Sequence, residues 1–365
     1  MSISRDLKKE GIEIICKVDT LTINGIAKKV SEMIVKNFPG INLNENDLFI
    51  NISRLNMYYA NLPKGISAKY FYKNKTIYFD NNIESEHITD IAIHECIHYL
   101  QERYDSKGKL IRLGLCDFTD KKMPGAGLNE AAVQLAAAKC AENSYENVRY
   151  FDINLQTNTE AYYPLECALV NQMAYLIGEN VLFESTLNAN DKFKAQYKSI
   201  TSEETFNVIQ KNIDILIEKQ DHIKNLYLNL QEIDTNERLI KKYTEQIEKC
   251  KEEIRELFLN TQRLIYTSYF DSAINLVYAP KIIENYRNKL YLFKNLIGYE
   301  YGDNSFNEYY IDKMMELEKR YEIDESEIRD LVVVKESFIS ILFRKLRTLF
   351  GLKSSSVEAI NKNEN

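Results

Sequence analysis

Punctuation is sparse in this chain: twelve glycines and five prolines are spread over 365 residues. With so few breakers, long stretches run on with apolar residues three and four apart, the spacing that puts them on one helix face. The fold class that follows is mainly α with a small β-sheet (α+β). Strand signal concentrates in AKYFYKNKTIYFD, where two Tyr/Phe/Ile-rich runs flank Lys73-Asn74-Lys75. The expected hairpin covers Ala68 to Tyr72 and Thr76 to Asp80. A helix is expected from Asn24 to Phe38, with Ile26, Val30, Met33 and Ile34 on one face and an exit at Pro39-Gly40. Another is expected from Glu84 to Tyr104, its buried stripe made by Ile88, Ile91, Ala92, Cys96 and Leu100. A loop-rich stretch with Gly108, Gly114, Gly125 and Gly127 then leads into the alanine-rich helix LNEAAVQLAAAKCAE, whose small side chains allow close approach to a neighbour.

Beyond residue 200 the character changes. SEETFNVIQKNIDILIEKQDHIKNLYLNLQ and ERLIKKYTEQIEKCKEEIRELFLNTQRLI read as two long antiparallel helices turning near Asp234-Thr235-Asn236. Their charge marks either a solvated face over a bundle core or a coiled coil that engages a partner. Near the C-terminus, SFISILFRKLRTLFGLK alternates bulky apolar residues with Arg344, Lys345, Arg347 and Lys353 and contains no acid. It reads as a membrane-surface helix, or as a last helix docked on the bundle through Phe338, Ile341, Leu342 and Leu349. The expected division is a first domain over 1–200, a helical domain over 201–335, a basic amphipathic helix over 336–353 and a disordered tail over 354–365.

Composition narrows the function classes. The balance of 47 basic against 54 acidic side chains, a net charge of −7, argues against a broad nucleic-acid footprint. Six cysteines stand far apart in no CxxC pair, as reduced thiols of an intracellular protein do. The N-terminal residues do not form a secretion signal, and no uncharged apolar run reaches the about 18 residues of a spanning helix. The expectation is a soluble cytoplasmic protein, with any membrane contact peripheral and made through residues 337–353.

The stretch IAIHECIHYLQ, residues 91–101, carries two of the four histidines. Four apart on a helix, His94 and His98 can point ring nitrogens at a single ion. With Glu95 beside the first, this is HExxH, in which two neutral imidazoles bind zinc and the glutamate takes a proton from water. These three residues resemble the zincin metallopeptidases, and a hairpin directly before the motif helix is the order found in that group. The resemblance implies one Zn2+ ion, a peptide or protein substrate, and Glu95 as general base and then proton donor to the leaving amine.

The third ligand is approached by elimination. A histidine site of the metzincin type needs HExxHxxGxxH, and the corresponding positions are Gln101 and Tyr104. His87 lies on the motif helix and His222 in the charged bundle. Glu102 continues the motif helix, and three ligands along one straight helix cannot surround an ion tetrahedrally. A carboxylate from another helix is therefore expected. GAGLNEAAVQLAA, residues 125–137, resembles the gluzincin branch of the zincins, whose second zinc helix carries an Asn-Glu pair followed by small residues. This resemblance covers about residues 68–140; it implies Glu130 as the third ligand and Asn129 as a residue that helps hold the site together. Glu166, in PLECALVNQMAYLIG, is the alternative. The thermolysin pattern has an aspartate four residues after the ligand glutamate, where this chain has Gln134, so support for a zinc histidine is expected from elsewhere, with Asp90 as the candidate. Tyr162, Tyr163 and His222 are candidate donors to an oxyanion. The rival to an enzyme is a catalytically silent zinc-containing helical scaffold that binds a protein partner or membrane surface.

Overall fold

Most of the described backbone is helical, as the run-on apolar spacing predicts, in a computed structural model that describes residues 3–84, 87–118, 123–159, 162–231, 236–277 and 280–321. Helix α1 (Ile3–Lys9) leads into strand β1 (Glu13–Lys17), and α2 (Thr20–Asn37) and α3 (Glu45–Ser53) follow. Asp19 caps α2 by accepting from Thr22 N at 2.9 Å, which is why that helix begins four residues before the expected Asn24. Then come β2 (Asn56–Asn61), β3 (Ala68–Phe71) and β4 (Thr76–Asp80). The four strands make one mixed sheet in the order β1-β2-β4-β3, with β2 and β4 parallel and the other two pairs antiparallel. The expected hairpin is there: Ala68 pairs with Phe79 and Phe71 with Thr76. Both faces of central strand β4 are covered, so Ile77, Tyr78 and Phe79 are all buried; Tyr78 joins a cluster with Leu7, Ile12, Ala60 and Phe71. Strand β3, at the sheet's edge, packs on the motif helix α4 (Ile88–Leu100).

Helix α4 is shorter than expected at both ends. Residues 102–104 form β5 (Glu102–Tyr104), which pairs with β6 (Leu110–Leu113), and β6 with β7 (Cys116–Asp117), in a small antiparallel sheet within the stretch read as loop. The helix is also buried more widely than a single stripe: Ile93, Ile97 and His98 are inside, while Ile91 and Leu100 are only partly covered. Its main neighbour is α5 (Ala126–Cys140), in which eleven of fifteen residues are buried. A helix enclosed this fully belongs to the interior, and α5 packs against α2 and α4 as well as the later helices α6 (Pro164–Ile177) and α7 (Glu179–Leu187). Between α5 and α6 the chain forms a hairpin, β8 (Glu146–Tyr150) and β9 (Ile153–Thr157). Helix α8 (Lys192–Ile200) follows α7.

The long helices are α9 (Glu203–Gln231) and α10 (Glu237–Ala273), and they run antiparallel. Asn212 reaches Thr261 at 3.0 Å, Lys219 reaches Glu253 at 2.5 Å, and Lys251 lies over the Tyr227 ring. Asn236 caps α10 by accepting from Leu239 N, while residues 234 and 235 of the expected turn lie outside the described residues. Helices α11 (Pro280–Phe293) and α12 (Ser305–Tyr321) end the described chain. The chain divides into two compact units, residues 1–308 and 309–365. Of the second, residues 309–321 are described; the helix expected over 336–353 and the tail over 354–365 lie outside the described residues. Among the described residues no helix is long and apolar enough to cross a membrane, and all six cysteines are free thiols. Ala136 of α5 is fully buried, so Ala136→Leu is expected to lower the unfolding free energy by about 1–3 kcal/mol through overpacking, read as a lower urea midpoint at unchanged slope.

Candidate metal centre

His94 and His98 stand one turn apart on the face of α4 that meets α5, and Glu130 projects toward them from the second turn of α5. The two Nε2 atoms are 3.0 Å apart, and each lies 3.3 Å from Glu130 Oε2. These three atoms form a nearly equilateral triangle. Ligands arranged tetrahedrally at the about 2.0–2.1 Å of zinc–nitrogen and zinc–oxygen bonds stand about 3.3–3.4 Å from one another, so the triangle fits one face of such a coordination shell. The side chains of His94, His98 and Glu130 are 15%, 8% and 30% exposed. Among the described residues this is the group of three such side chains that could hold a metal ion.

The tautomer of His94 follows from its other nitrogen. Gln134 Oε1 lies 2.9 Å from His94 Nδ1, and a carboxamide oxygen can only accept, so Nδ1 carries the proton and Nε2 turns its lone pair into the triangle. The expectation that support must come from elsewhere is corrected here: Gln134 itself performs the task, while Asp90 is exposed on the first turn of α4. Gln134 follows Glu130 by one helical turn, so both reach the same neighbour. His98 Nδ1 is buried beside the Gln101 side chain without a hydrogen bond of ordinary geometry.

Burial disfavours the charged form of His98, but the Glu130 carboxylate outweighs it and holds the imidazole up at about 9. Burial likewise raises Glu130, and the two imidazoles pull it well below the ordinary carboxylate range. A cation held in the triangle would compete with the His98 proton, so its binding would tighten as pH rises through the neutral range.

A carboxamide network ties the two ligand helices together. Gln101, at the end of α4, donates to Thr186 O at 2.9 Å and accepts from Asn129 Nδ2 at 3.3 Å. Asn129 Oδ1 in turn accepts from Leu115 N at 2.9 Å. Asn129 is buried and bonded to both Gln101 and Leu115. Gly114 is at φ +56°, and a Cβ there would lie 2.2 Å from Asn129 Oδ1 and 2.5 Å from Gln101 Nε2. Only glycine leaves room for this network.

Glu95, next to His94 on α4, lies close enough for its charge to act on His98 and Tyr163, and it is held by the sheet. Its Oε2 accepts from the backbone N–H of Tyr70 on edge strand β3 at 2.6 Å. Of the remaining candidates, Tyr163 stands at the start of α6 in left-handed backbone, φ 53° and ψ 41°. The Glu130 charge, burial and the Glu95 charge together hold its phenolic proton on well above the usual tyrosine range. Tyr162 shares a hydrogen bond of 2.7 Å with Ser67, and His222 lines a cavity of about 410 Å³ against α10, with Cys250 and Glu253. Glu166 is fully buried, bonded by Gln220 and pushed by burial up to about 7; it stays outside the triangle. Glu102 accepts from the Tyr70 and Tyr104 hydroxyls at 2.7 and 2.6 Å. Cys96 is a core residue whose burial pushes its thiol well up.

Substituting Gly114→Ala is expected to cost more than the about 1–2 kcal/mol of left-handed backbone alone, because Asn129 and Gln101 must also move; a urea or thermal midpoint unchanged from wild type refutes this. No family model, curated protein or solved structure matches the chain.

Proposed function

We propose that this protein is a zinc-dependent peptidase of gluzincin arrangement, with His94, His98 and Glu130 as the metal ligands, Glu95 as the general base, and a peptide or protein as substrate. The observation that carries this reading is the triangle of Nε2, Nε2 and Oε2 atoms with 3.0–3.3 Å edges. When bound there, zinc supplies Lewis acidity, polarising a substrate carbonyl and acidifying a water molecule at its open position.

The chain's own residues do the rest. Gln134 keeps the His94 proton on Nδ1, so that Nε2 is the ligand atom. Tyr70 N–H fixes Glu95 through Oε2, and the second oxygen, Oε1, takes the proton of the attacking water and delivers it to the departing amine nitrogen. Tyr163 keeps its phenolic proton because carboxylate charge opposes ionisation, and it serves as a hydrogen-bond donor to the oxyanion. Edge strand β3 packs on α4 and, in this reading, forms one wall of the substrate cleft.

Replacing Glu95 by Gln preserves the contact with Tyr70 N–H but removes the base. The expected result is full zinc occupancy with hydrolysis of a peptide library reduced at least about 100-fold. A chain that binds zinc and shows no Glu95-dependent hydrolysis is instead the silent scaffold. Replacing Gln134 by Leu is expected to weaken zinc binding about 10–100-fold, measured by chelator competition, with the fold retained.

A further inference from the structure

The first turn of α5 has no side-chain cap of its own. Gly125 occupies the cap position with φ 84°, and the turn carries no acid. Its free N–H groups are met from α9 instead. Asp214 accepts from Gly125 N through Oδ2 at 3.0 Å and from Gly127 N through Oδ1 at 2.7 Å, so one carboxylate closes the start of a helix 87 residues earlier in the chain. At Gly127 the backbone of α5 comes close to the backbone of α9. A Cβ on Gly127 would lie 2.9 Å from Ile213 O, and one on Gly125 would lie 3.1 Å from the Gln210 carboxamide carbon. A negative charge at this end of α5 also complements the helix dipole. Glu130 follows Gly127 by three residues, within the same stretch of helix, and a metal ligand has to be held to about 0.5 Å and 10–20° of its working geometry.

We propose that Asp214 is a positioning residue for the third metal ligand: by clamping the first turn of α5 onto α9 it sets where the Glu130 carboxylate stands, so that the long helices complete the metal centre. This rests on the zinc reading above and adds to it. Two N–H groups held by the two oxygens of one carboxylate fix both the rotation and the depth of the turn. A carboxamide offers one acceptor and sets only part of that geometry. The long helix, whose sequence reads as a solvated face, thereby acquires a role in the chemistry through backbone it does not own.

The test uses the full-length chain with Zn2+ and Co2+ as probes, comparing wild type, Asp214→Ala and Asp214→Asn. Asn236→Ala, which removes the cap of α10, serves as a control for lost stability elsewhere on the long helices. Asp214→Ala is expected to weaken zinc binding about tenfold or more and to lower the visible absorption of bound Co2+ as the compact four-coordinate geometry opens. Asp214→Asn is expected to fall between. Asn236→Ala lowers the unfolding midpoint with zinc affinity and the Co2+ spectrum unchanged. Wild-type affinity and spectrum in Asp214→Ala overturn the proposal whatever that variant's stability, and if it does not fold, the same readouts on Asp214→Asn decide. A wild-type chain that takes up neither ion overturns the metal reading and this proposal together, whereas uptake insensitive to position 214 sinks this proposal alone.

Discussion

Two imidazole nitrogens and a carboxylate oxygen converge here to within 3.0–3.3 Å, and their lone pairs repel unless something positive lies among them. A proton on His98 answers that need in part, and a divalent cation would answer it more completely. Either way, a largely desolvated carboxylate is tolerable only while its partners remain, since losing one strands the charge of the other. The surrounding packing can be understood as the means of keeping α4 and α5 close enough for that meeting. Alanines on α5 make the close approach sterically feasible, with Ala131, Ala132 and Ala136 fully buried. Glycine at positions 114 and 127 does the same where backbone or carboxamide groups come nearest.

The polar support of the centre is built from carboxamides. Gln134 orients His94, and Gln101 with Asn129 links the end of α4 to the loop at Leu115 and to α5. A carboxamide oxygen fixes a ring tautomer as a carboxylate does, but it adds no charge. Glu130 is therefore the negative side chain of the triangle, and a divalent ion held there would keep an excess of positive charge. Each amide also has donors and acceptors to satisfy, so the network is directional and constrains the helices as well as the ring.

Glu95 shows how the sheet enters the site. It follows His94 directly, and the backbone N–H of Tyr70 on β3 holds one of its carboxylate oxygens. Tyr70 also binds Glu102 through its hydroxyl, so one strand residue is tied to the motif helix and to the strand that follows it. The edge of the sheet and the histidine face of α4 are thereby locked in one frame.

Periodicity and fixed spacing are local properties, and they made much of this protein legible in its residues. The helical class, the hairpin around Lys73-Asn74-Lys75, and the placement of His94 and His98 on one helix face follow from patterns a few residues long. Other elements carried no such mark. The β8–β9 hairpin turns at Phe151 and Asp152, both at positive φ, in place of the Asn-Gly or Asp-Gly that signals such a turn. Gln134 reads as a missing aspartate until α4 and α5 are docked and its oxygen is found on His94. Asp214 reads as one more charge on a solvated helix until its two oxygens are seen on Gly125 and Gly127. The sequence alone determined which side chains share a face; the tertiary structure decided which partners they meet, because hydrogen bonds between distant segments depend on how whole helices dock.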